Sequence, residues 1–253
     1  MIDTHCHLDR VPDPEAAMDN DLRAMVTIGT DAERSEGALQ TARDHPRVFA
    51  AVGVHPNDAP LADDADVRAR IEALSSQPRV VAIGETGFDA HWQDTTLDVQ
   101  RRAFDWHAAL AGRSDKPLIL HVRDPQGADD ASRAAEAAIR DAGHPRGVLH
   151  CFGGDPALMA TALDLGWMVS FAGNLTFKNA ADLRERAREV PRERLLVETD
   201  APFLAPEPKR GRRNVPAWVA YTARALAEAR GEDPDALASL LDDNAIRFYR
   251  LPL

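Results

Sequence analysis

An apolar, β-branched run followed by a polar, alanine-rich stretch recurs along the whole chain, and this alternation limits the fold more than any single motif. Strands are expected at residues 2–8, 24–29, 48–54, 80–85, 118–122, 147–152, 167–171 and 195–199. Helical patterns lie between them at 31–44, 64–74, 95–111, 128–141, 156–164 and 180–188, and two more follow the last strand at 216–229 and 233–249. Residues 12–22 are a shorter, weakly periodic candidate for the first crossover. Strands separated by helices pair in parallel, and eight such units predict an α/β fold, a (β/α)8 TIM barrel with an extra C-terminal helix. A chain of 253 residues fits one such barrel better than two half-sized domains, so a single domain over 1–253 is expected.

The net charge of −11 bears on partners. A protein that holds nucleic acid by neutralising phosphates alone carries a basic surface, whereas this chain has one basic cluster, Lys209 to Arg213. A phosphate-bearing substrate would need that cluster or bound cations. A strand end gripped in a cleft is compatible with this charge; long-range steering of DNA is not. No apolar run reaches 18 residues and no charged-then-apolar leader is visible, so neither a membrane span nor a secretory signal is expected. Two cysteines, Cys6 and Cys151, make no disulfide framework, which suits a reducing, cytoplasmic setting.

Barrel active sites lie at the carboxyl ends of the strands, and polar residues collect there. His5 and His7 stand two apart in THCHLD, so an extended chain projects both to one face and Cys6 to the other. Glu85 ends the fourth run, His121 and His150 are late in the fifth and sixth, and Asp200 closes the eighth. A polar group after an apolar run has to be paired or metal-bound to offset its desolvation. Four histidines and two carboxylates at one rim point to a divalent-metal site, for which these are ordinary donors. The alternative is a set of separately hydrogen-bonded rim residues.

Other residues leave alternatives open. His55, after the third strand, either contacts substrate or braces a loop. Arg123, two residues after His121, either holds a phosphate bidentately or forms an internal salt bridge. Glu198 shares a face with Asp200 and can orient it, ligate, or pair with a buried cation. His45, His107 and His144 fall away from strand ends, where surface placement is expected. His91 and Trp92 either line a pocket or cap it, and Cys151, like Cys6, is expected to face away from the ligands.

Taken in order, THCHLD, GVHP, GETGFD, LILHVRD, HCFGG, FAGNLTFKNA, ETDAPFLAP, the Arg210 to Asn214 stretch and the terminal NAIRFY resemble the TatD family of metal-dependent deoxyribonucleases over nearly the whole length. The resemblance implies that His5, His7 and Asp200 hold one ion and His121 and His150 a second, with Glu85 bridging. There is no lysine at the end of the fourth strand, where related amidohydrolase barrels use a carboxylated one. Two departures stand out. The family often has tyrosine shortly after GETGxD, where this chain has Ala90, His91 and Trp92; it often has glutamate where Val215 stands.

Two such cations would acidify a bound water and stabilise the attacking and leaving oxygens of a phosphodiester, with Asp200 as general base. Magnesium and manganese suit phosphate chemistry and zinc suits the histidines. The resemblance thus implies a 3′–5′ exodeoxyribonuclease acting on single-stranded DNA ends, and on RNA, without a membrane or an obligate protein partner. The competing readings are a small-molecule hydrolase of amides, lactones or phosphotriesters, and a metal-dependent scaffold that binds without cleaving.

Overall fold

In the computed structural model, which describes residues 1–11, 22–92 and 94–253, eight parallel strands form one sheet in chain order. They are β1 (Ile2–Cys6), β2 (Ala24–Ile28), β3 (Val48–Val52), β4 (Val80–Asp89), β5 (Leu118–Arg123), β6 (Gly147–Leu149), β7 (Met168–Phe171) and β8 (Leu195–Val197). The barrel nearly closes through the segment after β8: Cys6 pairs with Ala201, the His7 amide donates to the Ala201 carbonyl at 2.8 Å, and the Asp200 amide donates to the His5 carbonyl at 2.9 Å. Around the sheet lie α1 (Ala32–Asp44), α2 (Ala65–Ser75), α3 (Leu97–Ser114), α4 (Asp130–Ala142), α5 (Pro156–Asp164), α6 (Ala181–Glu189), α7 (Val219–Arg230) and α8 (Pro234–Tyr249). Side chains of Asp31, Asp64, Thr96, Asp155 and Asp233 accept backbone N–H bonds at the starts of α1, α2, α3, α5 and α8, satisfying donors that a helix leaves unpaired. The expected crossover at 12–22 lies outside the described residues except for Leu22, which is buried. None of the described helices is long and apolar enough to cross a membrane.

Strand alternation sorts side chains between the two faces of the barrel. Ile2, Val26, Phe49, Val81, Ile119, Val148, Met168 and Leu196 pack in one cluster with Phe248, Tyr249 and Leu251, so the end of α8 and the residues after it cover the amino end of the lumen. Met25, Val48, Val52, Leu118, Leu120, Leu149, Val169 and Val197 pack in the other, against the helices. Continuing the lumen-facing series of β5, His121 and Arg123 follow Ile119. His150 likewise follows Val148, Glu198 and Asp200 follow Leu196, and His55 follows Phe49 and Ala51. Within β5 this alternation aims His121 and Arg123 at the open, carboxyl end, while His55, His150, Glu198 and Asp200 keep the same spacing just beyond their strands.

Several strand ends differ from expectation, among them that of β1, which stops at Cys6 and leaves His7 just beyond it. Glu85 does not end β4, which runs on to Asp89. His150 and Asp200 stand just beyond strands that stop at Leu149 and Val197. Strand alternation consequently does not govern Cys151, which lines the open cleft instead of facing away, whereas Cys6 is buried in the helix-facing core.

Two histidines expected at the surface are buried. His144 donates from Nε2 to the Lys116 carbonyl at 3.0 Å. His107, on α3, donates from Nδ1 to the Ala103 carbonyl at 2.7 Å and accepts the Val54 amide at Nε2, 3.0 Å away. Accepting at Nε2 requires a neutral ring, and burial pushes its pKa down to about 4 from 6.5. Protons then bind the unfolded chain more readily than the folded one. The resulting stability is fully present above about pH 6.5 and is lost as pH falls towards 4, up to about 3 kcal/mol. Urea unfolding at pH 7 and pH 4.5 should show the gap between the unaltered protein and His107→Gln closing at the lower pH; an unchanged gap would contradict this role.

Candidate metal centre

Glu85 lies at the centre of the carboxyl-end polar groups, and two glycines bring it there. Gly84 and Gly87 flank it with φ of 133° and 145°, and a Cβ on Gly87 would stand 2.0 Å from the His121 carbonyl oxygen. Only glycine allows β4 to run this close to β5. One carboxylate oxygen of Glu85, Oε1, faces His121 Nδ1 at 2.8 Å, His150 Nε2 at 3.0 Å and His55 Nε2 at 3.7 Å. The other, Oε2, faces His5 Nε2 at 3.5 Å and His7 Nε2 at 3.8 Å. Asp200 Oδ1 completes this second side, 3.4 Å from His7 Nε2 and 3.8 Å from His5 Nε2. All six residues expected at one rim are thus brought together around a single carboxylate, at the base of a cleft of about 1120 Å³.

The donor chemistry fits divalent cations. Both ring nitrogens of His5, Nδ1 of His7 and Oε2 of Glu85 are buried without a hydrogen-bond partner among the described residues, an arrangement that costs desolvation energy unless a cation supplies the missing interaction. Three triads have donor atoms within 4.8 Å of one another: His5, His7 and Asp200; His5, His150 and Glu198; and His55, Glu85 and His121. Burial pushes the Glu85 carboxyl up, but the charge of His150 beside it and the His121 and His150 imidazoles facing Oε1 outweigh burial and hold it well below the usual carboxylate range. Asp200 is likewise pushed up by burial, yet its hydrogen bond with His7 and the nearby histidines hold it low. Burial pushes His55 down to about 3, leaving a neutral imidazole with a lone pair.

Residues 2–250 match the family described as TatD related DNase. The chain belongs to this family. A relative in Mycobacterium tuberculosis (strain ATCC 25618 / H37Rv), described as an uncharacterized metal-dependent hydrolase TatD, is 42% identical over 267 residues, 99% of this chain and 98% of the relative. A protein of Salmonella typhimurium (strain LT2) named 3′-5′ ssDNA/RNA exonuclease TatD is 36% identical over 239 residues, 91% of this chain and 88% of that one. The crystal structure of the YjjV TatD homologue of Escherichia coli K12 superposes with a TM-score of 0.89 at 28% identity, covering 100% of this chain and 98% of the other. This TatD-family chain is a metal-dependent hydrolase.

Around the central groups of the TatD-family site, further partners fix the geometry. Glu198 orients His150 instead of Asp200: its Oε1 accepts from His150 Nδ1 and from the Cys151 amide, both at 2.8 Å. That leaves His150 Nε2 free to face Glu85. Asp89 Oδ2 lies 3.2 Å from His121 Nε2, and Asp89 stands four residues after Glu85, on the same face of an extended strand; that spacing is the signal for it. Asp200 sits in the left-handed region, φ 54°, which aspartate tolerates better than most residues. It is held there by its neighbours. Asn214 Nδ2 donates to the Thr199 and Phe203 carbonyls at 2.8 and 2.7 Å, and Asp3 accepts from the Thr199 amide and hydroxyl at 2.9 and 2.5 Å.

The remaining candidates divide. His55 takes the loop-bracing place, its Nδ1 accepting the Asn57 amide at 3.2 Å, while its Nε2 faces Glu85 at 3.7 Å. Arg123 lines the cleft, with its guanidinium 5.5 Å from the Trp92 ring centroid, and pairs with no carboxylate among the described residues. Trp92 lines the same cleft and His91 does not. The Lys209 to Arg213 cluster stays outside it: Lys209 lies over Trp218 and Tyr221, Arg210 lies over Phe177, and Arg213 donates to the Arg10 carbonyl at 2.6 Å.

Proposed function

We propose that this chain, as one domain over 1–253, is a 3′–5′ exonuclease that hydrolyses phosphodiesters at single-stranded DNA ends, with RNA as a second substrate. The observation that carries the reading is the division of Glu85. One carboxylate offers Oε2 to the His5, His7 and Asp200 side and Oε1 to the His121, His150 and His55 side. A carboxylate with a donor group on each oxygen suits two cations sharing a bridge. His5, His7 and Asp200 would hold one ion, His121 and His150 the other. When bound, such cations supply a water acidified towards neutral pH and a clamp on the attacking and leaving oxygens; magnesium, manganese and zinc all suit this donor set.

The chain's own residues supply the rest. Asp200, ionised and turned into the site by its backbone, takes the proton released by the attacking water. Arg123 holds a phosphate at the cleft, and His55 Nε2 faces the same space. The exonuclease name of the Salmonella relative supports this substrate class, and the two free thiols support a cytoplasmic setting.

End-labelled single strands test the reading. Incubation with manganese or magnesium should shorten them progressively from the 3′ end, and EDTA should stop the shortening until metal is restored. Intact strands, alongside turnover of an amide, lactone or phosphotriester, would replace the nuclease with a small-molecule hydrolase.

A further inference from the structure

Two aromatic side chains remain open to solvent in the cleft, Trp92 at 51% and Phe203 at 45% exposure. Each has a guanidinium against its ring: Arg123 is 5.5 Å from the Trp92 centroid and Arg10 is 6.0 Å from that of Phe203. Both arginines line the cleft; among the described residues neither pairs with a carboxylate, and the buried Arg10 Nε has no hydrogen-bond partner. In a chain of net charge −11, these cations face the space where a polyanion would enter.

Both rings are also held in place from the metal groups. The Trp92 and His91 amides donate to Asp89 Oδ1 at 2.9 and 2.8 Å. The same Asp89 contacts His121, while Gln100 of α3 bonds its backbone in both directions at 2.8 and 3.0 Å. On the other side, the Phe203 amide donates to the Asp200 carbonyl at 2.8 Å, and its ring meets His7 edge-on at 6.0 Å. Exposed aromatic rings beside arginines at a fixed distance from the reacting groups suit unstacked bases and the phosphates joining them.

We propose that Trp92 and Phe203 are two base-stacking platforms that hold the last two nucleotides of a strand splayed apart, with the scissile phosphate between them at the Glu85 group. This deepens the nuclease reading and rests on it. Paired bases stacked in a duplex cannot occupy both rings, so the platforms select single strands. Stacking tolerates every base, so little sequence preference is expected.

The test combines variants with abasic ends. Trp92→Ala and Phe203→Ala should each raise KM for an oligonucleotide about tenfold, with kcat within about threefold. An abasic residue at the terminal or penultimate position should impose a similar increase on the unaltered protein. The same abasic residue should add nothing in the variant lacking its platform, and Trp92→Phe should restore most of the binding. If the unaltered protein shortens abasic and base-bearing ends with equal KM, or abasic and alanine effects simply multiply, the platforms are overturned while the nuclease stands. If no oligonucleotide is shortened by the unaltered protein, the nuclease reading falls and the platforms fall with it.

Discussion

Replacing Asp200 with asparagine should lower kcat on single-stranded oligonucleotides about a thousandfold, within the range that a positioned general base contributes, and leave KM within a few-fold. Asparagine keeps the shape and a donor oxygen but takes no proton at the pH of the reaction. The backbone around it should persist, because the bonds holding it there come from other residues: the Asp200 amide to His5, Asn214 to the Thr199 and Phe203 carbonyls, and Asp3 to Thr199. Asp200→Ala should fall at least as far, having lost the donor oxygen as well. Single-turnover shortening of an end-labelled strand at saturating enzyme reads the chemical step directly. An undiminished ladder in either variant would remove Asp200 as the base.

The barrel was legible because strand alternation and helical periodicity repeat in every unit, and the expected 156–164 helix is observed with the same limits as α5. Some rim residues were legible for a related reason: His121, His150 and Asp200 keep the lumen-facing parity of Ile119, Val148 and Leu196, whereas His5 and His7 follow a register shift in β1 and Glu85 lies at one in β4. Where expectation failed, the cause was tertiary. GETGFD reads as a strand end because glycines ordinarily punctuate chains, yet Gly84 and Gly87 serve close approach to β5 and the strand continues to Asp89. His107 carries no local sign of burial; its Nε2 partner, the Val54 amide, lies 53 residues away. Glu198 was visible as a companion of Asp200, but pairing across the barrel gives it to His150. Trp92 and Phe203 differ from core aromatics only in what fails to cover them, and periodicity does not report that.

Glu85→Gln should remove metal retention, the larger of the two losses because this residue serves both sides of the site. It changes one charged oxygen pair into a neutral amide while keeping volume, so packing against β5 is preserved. A unit charge about 4 Å from another is worth about 4 kcal/mol at an effective dielectric of about 20, which corresponds to about a thousandfold in affinity for a site that loses it. Activity should fall below detection at metal concentrations that saturate the unaltered protein. Thermodynamic linkage gives a readout independent of turnover. Metal at about 100 times its Kd should stabilise the unaltered protein by about 2.7 kcal/mol and the variant by almost nothing, each relative to the same protein in EDTA. Metal-dependent stabilisation of Glu85→Gln equal to that of the unaltered protein would mean that the carboxylate does not bridge, and the two donor groups would have to be treated as separate sites.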